Sequence, residues 1–141
     1  MKIKEKVPNP SLQLLRINTT YPDLVESYSF KPPLYISLRI KPTESSRTYL
    51  TQIKLTDSKK LEVFVLNPNL AKENKGCKSV PHMYSLKQGR ICLYLPKEID
   101  YTDNYSIIVP WISEWLYHYE IWKITGEWCG GGHGFKKGAT K

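Results

Sequence analysis

The chain has 141 residues, 40% of them apolar, with ten Tyr, four Trp and a formal net charge of +8. That length fits one domain, residues 1–141, large enough to bury a core, and this apolar and aromatic content excludes a disordered chain. No apolar run reaches the roughly 18 residues a membrane-spanning helix needs. The basic start MKIKEKVPNPSL has no apolar segment behind it, so it does not read as a secretory signal, and a cytoplasmic protein is expected.

Positive charge is spread from Lys2 to Lys141, with small clusters at Lys2-Lys4-Lys6, Lys59-Lys60 and Lys136-Lys137. A solvated basic surface and the steering of an acidic protein partner both fit that spread. A nucleic-acid-binding module would need a clustered basic and aromatic platform, and no stripe of that kind is visible.

Taken in order, residues 1–12 carry Pro8, Pro10 and many charges and read as an extended or loose arm. Leu12, Leu14, Leu15 and Ile17 predict a short helix that Thr19-Thr20 and Pro22 end. Three strands follow. Residues 34–40 alternate, with Leu34, Ile36, Leu38 and Ile40 on one face and Tyr35, Ser37 and Arg39 on the other. Residues 48–55 and 61–66 are the second and third strands, with turns at 42–47 and 57–60 between them. Connections this short imply antiparallel pairing, since parallel strands need long crossovers.

Residues 70–90 lack periodicity and contain Asn74, Gly76, Pro81 and Gly89, which predicts a loop of roughly twenty residues leading into Cys92. From Ser106 the pattern becomes helical. Ile108, Ile112, Trp115, Tyr119 and Trp122 form an apolar stripe, widened by Trp111, Leu116 and Ile121, so the helix should be buried on more than one side. Ser106 is its expected N-cap, Pro110 fits a first turn and Gly126 is the expected stop. The tail begins Cys129-Gly-Gly-Gly-His133-Gly134 and reads either as flexible or as a loop packed closely on the site; residues 133–141 are expected to be loose.

Three widely spaced cysteines, Cys77, Cys92 and Cys129, without a CxxC, argue against a disulfide framework or a structural zinc site. Cys129 and His133 fall short of the four ligands zinc takes, and no metal or cofactor is expected. The remaining question is whether one thiol is a nucleophile. Cys92 lies in the run Ile91-Cys92-Leu93-Tyr94-Leu95, where a thiol is more often a packed core residue. Three features favour a reactive one. Gly89-Arg90 allows another backbone to approach and brings a cation near. His82 lies ten residues upstream, and Asp100 and Asp103 lie in the loop downstream, where they either orient an incoming amine or cap the loop.

The spacing from His82 to Cys92, the segment Gly89-Arg90-Ile91-Cys92-Leu93-Tyr94-Leu95 and the Trp-containing helix after it resemble ubiquitin-conjugating enzymes. The closer resemblance is to the bacterial branch of that fold, stand-alone proteins of antiphage, CBASS-type operons. It rests on Pro110-Trp111-Ile112-Ser113-Glu114-Trp115-Leu116 and the Tyr119-Glu120-Ile121-Trp122 and Thr125-Gly126-Glu127-Trp128 segments that follow, and covers residues 34–132. The resemblance implies an α+β fold, a four-stranded antiparallel meander with helices packed on one face.

It further implies that Cys92 carries the C-terminal glycine of a partner protein, a cGAS-like nucleotidyltransferase, as a thioester and passes it to a lysine amine. His82 is then the second catalytic residue, as a base, or else it holds the loop by hydrogen bonds. The family's Asn after His-Pro is absent, since Met83 and Tyr84 stand in its place. The oxyanion donor is therefore open between the Tyr84 hydroxyl and backbone N–H groups. His118 reads as a packing histidine. The alternative reading is a non-catalytic relative of the same fold that only binds a partner, its cysteine packed inside. Neither a GxGxxG nor a P-loop sequence is present, so the activated donor would come from another protein or be taken up unaided.

Overall fold

The computed structural model describes residues 9–56, 61–77, 79–93, 95–96, 98, 101 and 104–129. In chain order these form α1 (Pro10–Thr20), β1 (Val25–Ser29), β2 (Tyr35–Ile40), β3 (Tyr49–Lys54) and β4 (Glu62–Asn67). Then come α2 (Leu70–Glu73), β5 (Met83–Ser85), β6 (Arg90–Ile91), a 3-10 turn (Tyr105–Ile108) and α3 (Val109–Thr125).

The strands make one antiparallel sheet of order β1-β2-β3-β4-β6-β5. It has six strands rather than the four expected. The first four do pair consecutively, as a meander would, and β6 and β5 extend it past β4. Cross-strand register sets the two faces. Ile36 pairs with Ile53, Leu38 with Thr51 and Ile40 with Tyr49. Val65 sits opposite Thr51 and Val63 opposite Ile53, and Ile91 continues that row from β6. All of these are at most 3% exposed. Thr51 is tolerated there because its hydroxyl donates to the Leu38 carbonyl at 3.1 Å.

Ile17 of α1, Ile108 of the 3-10 turn, and Ile112, Trp115, Leu116 and Tyr119 of α3 join the same core cluster. Each such aliphatic side chain, fully buried, contributes about 1.5–3 kcal/mol. Leu116 is buried on the widened flank of the α3 stripe, whereas Trp111, Ile121 and Trp122 are half-buried.

Three local expectations need correction. α1 begins at Pro10, inside the stretch expected to be a loose arm, because the Asn9 side chain accepts from the Leu12 N–H and proline suits the first turn. Its buried residues are Gln13 and Ile17, while Leu12 and Leu15 are exposed. The Gln13 side chain accepts from the Tyr105 N–H at 2.7 Å, so α1 anchors the start of the 3-10 turn.

The stretch 70–90 is not one loop: it holds α2, β5 and the turn into β6. Ser106 is not the cap of the last helix. α3 follows Ile108 and has no side-chain cap of its own; Asn104 caps the 3-10 turn before it, accepting from the Ser106 N–H and hydroxyl at 3.0 and 2.6 Å. Gly126 ends α3 as expected, with φ at 80° and its N–H on the Trp122 carbonyl. Among the described residues no helix is long and apolar enough to cross a membrane.

Candidate active site around Cys92

Cys92 follows a two-residue strand, too short to hold itself in place, and the surroundings fix it instead. On one side Ile91 pairs with Val63 of β4, and on the other with Met83 of β5. Just before it, Gly89 has φ of 76° and accepts from the Val65 N–H at 2.7 Å. A Cβ at Gly89 would run into the Val65 carbonyl oxygen. Only glycine permits this left-handed turn against a neighbouring backbone, which is the close approach the sequence suggested.

The Cys92 N–H then donates to the His82 carbonyl at 2.9 Å. The same carbonyl accepts the indole N–H of Trp115, on α3, at 3.0 Å. His82 reaches this position with φ of 56°, a left-handed conformation that costs a residue with a side chain roughly 1–2 kcal/mol. Surrounding contacts hold it there. Its ring lies against Trp128 at 5.1 Å between centroids, and Trp128 also touches Trp115 at 5.3 Å and His118 at 6.0 Å.

Burial pushes the His82 imidazole below its ordinary pKa, and the nearby His118 adds to the shift, so His82 is neutral at neutral pH. His118 lies 3.4 Å from Glu114 through Nε2, and its buried Nδ1 has no hydrogen-bond partner among the described residues.

Behind Trp115 the support continues. Its ring is stacked on Tyr119, 5.5 Å between centroids and 11° from parallel. The Tyr119 hydroxyl donates to Glu73 and accepts from the buried Asn74 amide, both at 2.7 Å. Arg47 reaches Glu73 at 2.6 Å. Burial pushes the Glu73 carboxyl up, but the hydrogen bonds from Arg47 and Tyr119 outweigh it and hold the group below its ordinary range. Burial and the Glu73 bond push the Tyr119 hydroxyl well above its ordinary range, so it remains a donor.

Cys92 itself is 7% exposed, while Cys77 and Cys129 are exposed free thiols. Because the Cys92 N–H is committed to His82, that group is not a free donor for an oxyanion. Tyr84 is exposed and its ring lies under the Arg90 guanidinium, 4.6 Å away. The cation expected beside the thiol is therefore seated on an aromatic face. The link from His82 to Cys92 runs through the backbone carbonyl, which fits the loop-holding role weighed above. Asp100, Asp103 and His133 lie outside the described residues. Among the described residues, no three His, Cys, Asp or Glu side chains gather as metal ligands.

The family model for the type II CBASS E2 protein matches residues 13–136, a span that contains every element of this site. The chain belongs to that family. Membership gives it an E2-like role in CBASS defence. A comparison with curated proteins found no match. In this E2-like chain the structure joins Cys92 to His82 through the backbone, and it sets Trp115 and Trp128 against His82 with His118 beside Trp128, three residues that the sequence did not mark as site residues. The signal for them was present in part. The aromatic spacing on α3 put Trp115 and Tyr119 on one face, but nothing local indicated that the Trp115 N–H would reach a carbonyl 33 residues away.

Proposed function

We propose that Cys92 is the acyl-carrying nucleophile of a conjugation reaction in bacterial antiphage defence, in one cytoplasmic domain spanning the chain. The Cys92 thiolate attacks the carbonyl carbon of an activated C-terminal glycine, supplied as an acyl adenylate or a thioester. The carbon–sulfur bond forms and AMP or the donor thiol departs. A lysine amine then attacks the thioester, the Cys92 thiolate leaves, and the nitrogen gives up a proton as the isopeptide bond forms. The partner that contributes the glycine is a cGAS-like nucleotidyltransferase.

Neutral His82 suits proton acceptance, and Asp100 and Asp103 are the carboxylates to orient the amine. The oxyanion falls to the Tyr84 hydroxyl or to backbone N–H groups other than that of Cys92. The observation that carries this reading is the cysteine's placement. Cys92 directly follows a strand pinned on both sides and is itself held by the His82 carbonyl, within the span matched by the E2 family.

The burial of Cys92 favours a second reading, a non-catalytic relative whose thiol is core. The two part on intact masses taken without reductant after co-expression with the genomic neighbours, for wild type, Cys92→Ala and Cys92→Ser. The first reading expects a thiol-labile adduct on wild type, none on Cys92→Ala and a thiol-resistant ester on Cys92→Ser. No adduct, together with resistance of Cys92 to alkylation in the folded protein, establishes the second.

A further inference from the structure

We infer that Trp115 is a positioning residue for Cys92, acting through the one carbonyl they share. The inference rests on the reading of Cys92 as the acyl carrier, and it assigns a task to the aromatic helix beyond filling the core. The His82 carbonyl accepts both the Cys92 N–H, at 2.9 Å, and the Trp115 indole N–H, at 3.0 Å. The first bond holds the cysteine backbone; the second sets where the carbonyl points.

A flexible donor would set nothing, but Trp115 cannot turn. It is 4% exposed, stacked flat on Tyr119 and crossed by Trp128, and Tyr119 is itself held by Glu73 and Asn74. Position therefore passes from α3, through one indole, to the backbone of residues 82 and 92. A left-handed residue at His82 fits this reading, because such a conformation persists only where surrounding contacts determine it. A reacting sulfur misplaced by about 1 Å loses on the order of a hundredfold in rate, so one hydrogen bond to the carbonyl that holds the cysteine matters to the chemistry.

The test uses the full chain in a Cys77→Ser, Cys129→Ser background, so that Cys92 is the only thiol, and compares Trp115→Phe with Trp122→Phe. Phenylalanine keeps an aromatic ring at each position and removes the N–H. Trp122 also stacks on Tyr119, at 6.0 Å, and serves as the control for lost aromatic packing. Both variants should lower the melting temperature. Only Trp115→Phe should change the pH profile of Cys92 alkylation by iodoacetamide, and only it should cut acyl loading by roughly tenfold to a hundredfold. Equal profiles for wild type and Trp115→Phe, or equal changes in both variants, overturn the inference.

If Trp115→Phe does not fold, the Cys77→Ser, Cys129→Ser protein with Trp115 in place decides. After alkylation of Cys92, the Trp115 indole N–H resonance should move while those of Trp111 and Trp122 stay, and an unmoved Trp115 resonance overturns the inference. Absence of acyl loading even in wild type would refute the carrier reading and leave the alkylation comparison standing as the test of positioning.

Discussion

Replacing Gly89 by alanine should destabilise the protein and displace Cys92, and the size follows from two separable costs. The φ of 76° is left-handed, and a side chain there costs roughly 1–2 kcal/mol. The new Cβ would also collide with the Val65 carbonyl, forcing β6 away from β4 and stretching the bond from the Val65 N–H to the Gly89 carbonyl, worth about 1 kcal/mol net. The sum is about 2–3 kcal/mol, or a fall in melting temperature on the order of 10 °C for a domain of this size.

Two other glycines calibrate the argument. Gly126 has φ of 80° but nothing within 4 Å of an added Cβ, so Gly126→Ala should show only the first cost, about 1–2 kcal/mol. Gly76 has open space and no left-handed φ, so Gly76→Ala should stay within about 0.5 kcal/mol of wild type. Urea unfolding of the three variants gives the order directly, with acyl loading measured on the folded fraction. The reasoning is refuted if Gly89→Ala costs no more than Gly126→Ala, or if loading by Gly89→Ala matches wild type.

Other outcomes follow from the same contacts. His82 is held below its ordinary pKa of 6.5, so the unfolded chain binds its proton first as pH falls. Its contribution is therefore complete above about pH 6.5 and is lost as pH drops through the lower folded value; His82→Gln should flatten the stability profile between about pH 7 and 5. Tyr119→Phe removes the hydroxyl that donates to Glu73 and accepts from Asn74. It should cost about 1–2 kcal/mol in urea unfolding and raise the Glu73 pKa in a carboxyl NMR titration, since one bond that lowers it is gone.

Much of the fold was legible where a signal is local and repeated. Alternation in residues 34–40 placed Ile36, Leu38 and Ile40 on the buried face, and the stop at Gly126 followed from its freedom to turn left-handed. β1 escaped because its burial does not alternate: its three middle residues are all exposed at a sheet edge. β5 and β6 span three and two residues; β6 is held by β4, far back along the chain, and β5 in turn pairs with β6, which no local window reports. Leu12, Leu14, Leu15 and Ile17 gave the helix α1, but not that Gln13 is buried beside Ile17, because burial there is decided by what lies across from the helix, including the Tyr105 backbone that Gln13 bonds.

At the site, the pairing of Gly89 with a close backbone and of His82 with Cys92 could be read from residue types and spacing. The form of the second link could not. It is a backbone carbonyl shared with Trp115; a His82 that holds the loop by hydrogen bonds was one of the two roles open in the sequence, but residue types do not say which atoms make those bonds.

The most direct test of the central claim is where the acyl group sits. Peptides from a non-reduced digest of the protein co-expressed with its genomic neighbours should contain a C-terminal glycine joined through its carbonyl to the sulfur of Cys92, and thiol treatment should release it. The same group on the exposed Cys77 or Cys129, or no thioester on any of the three, would contradict the account.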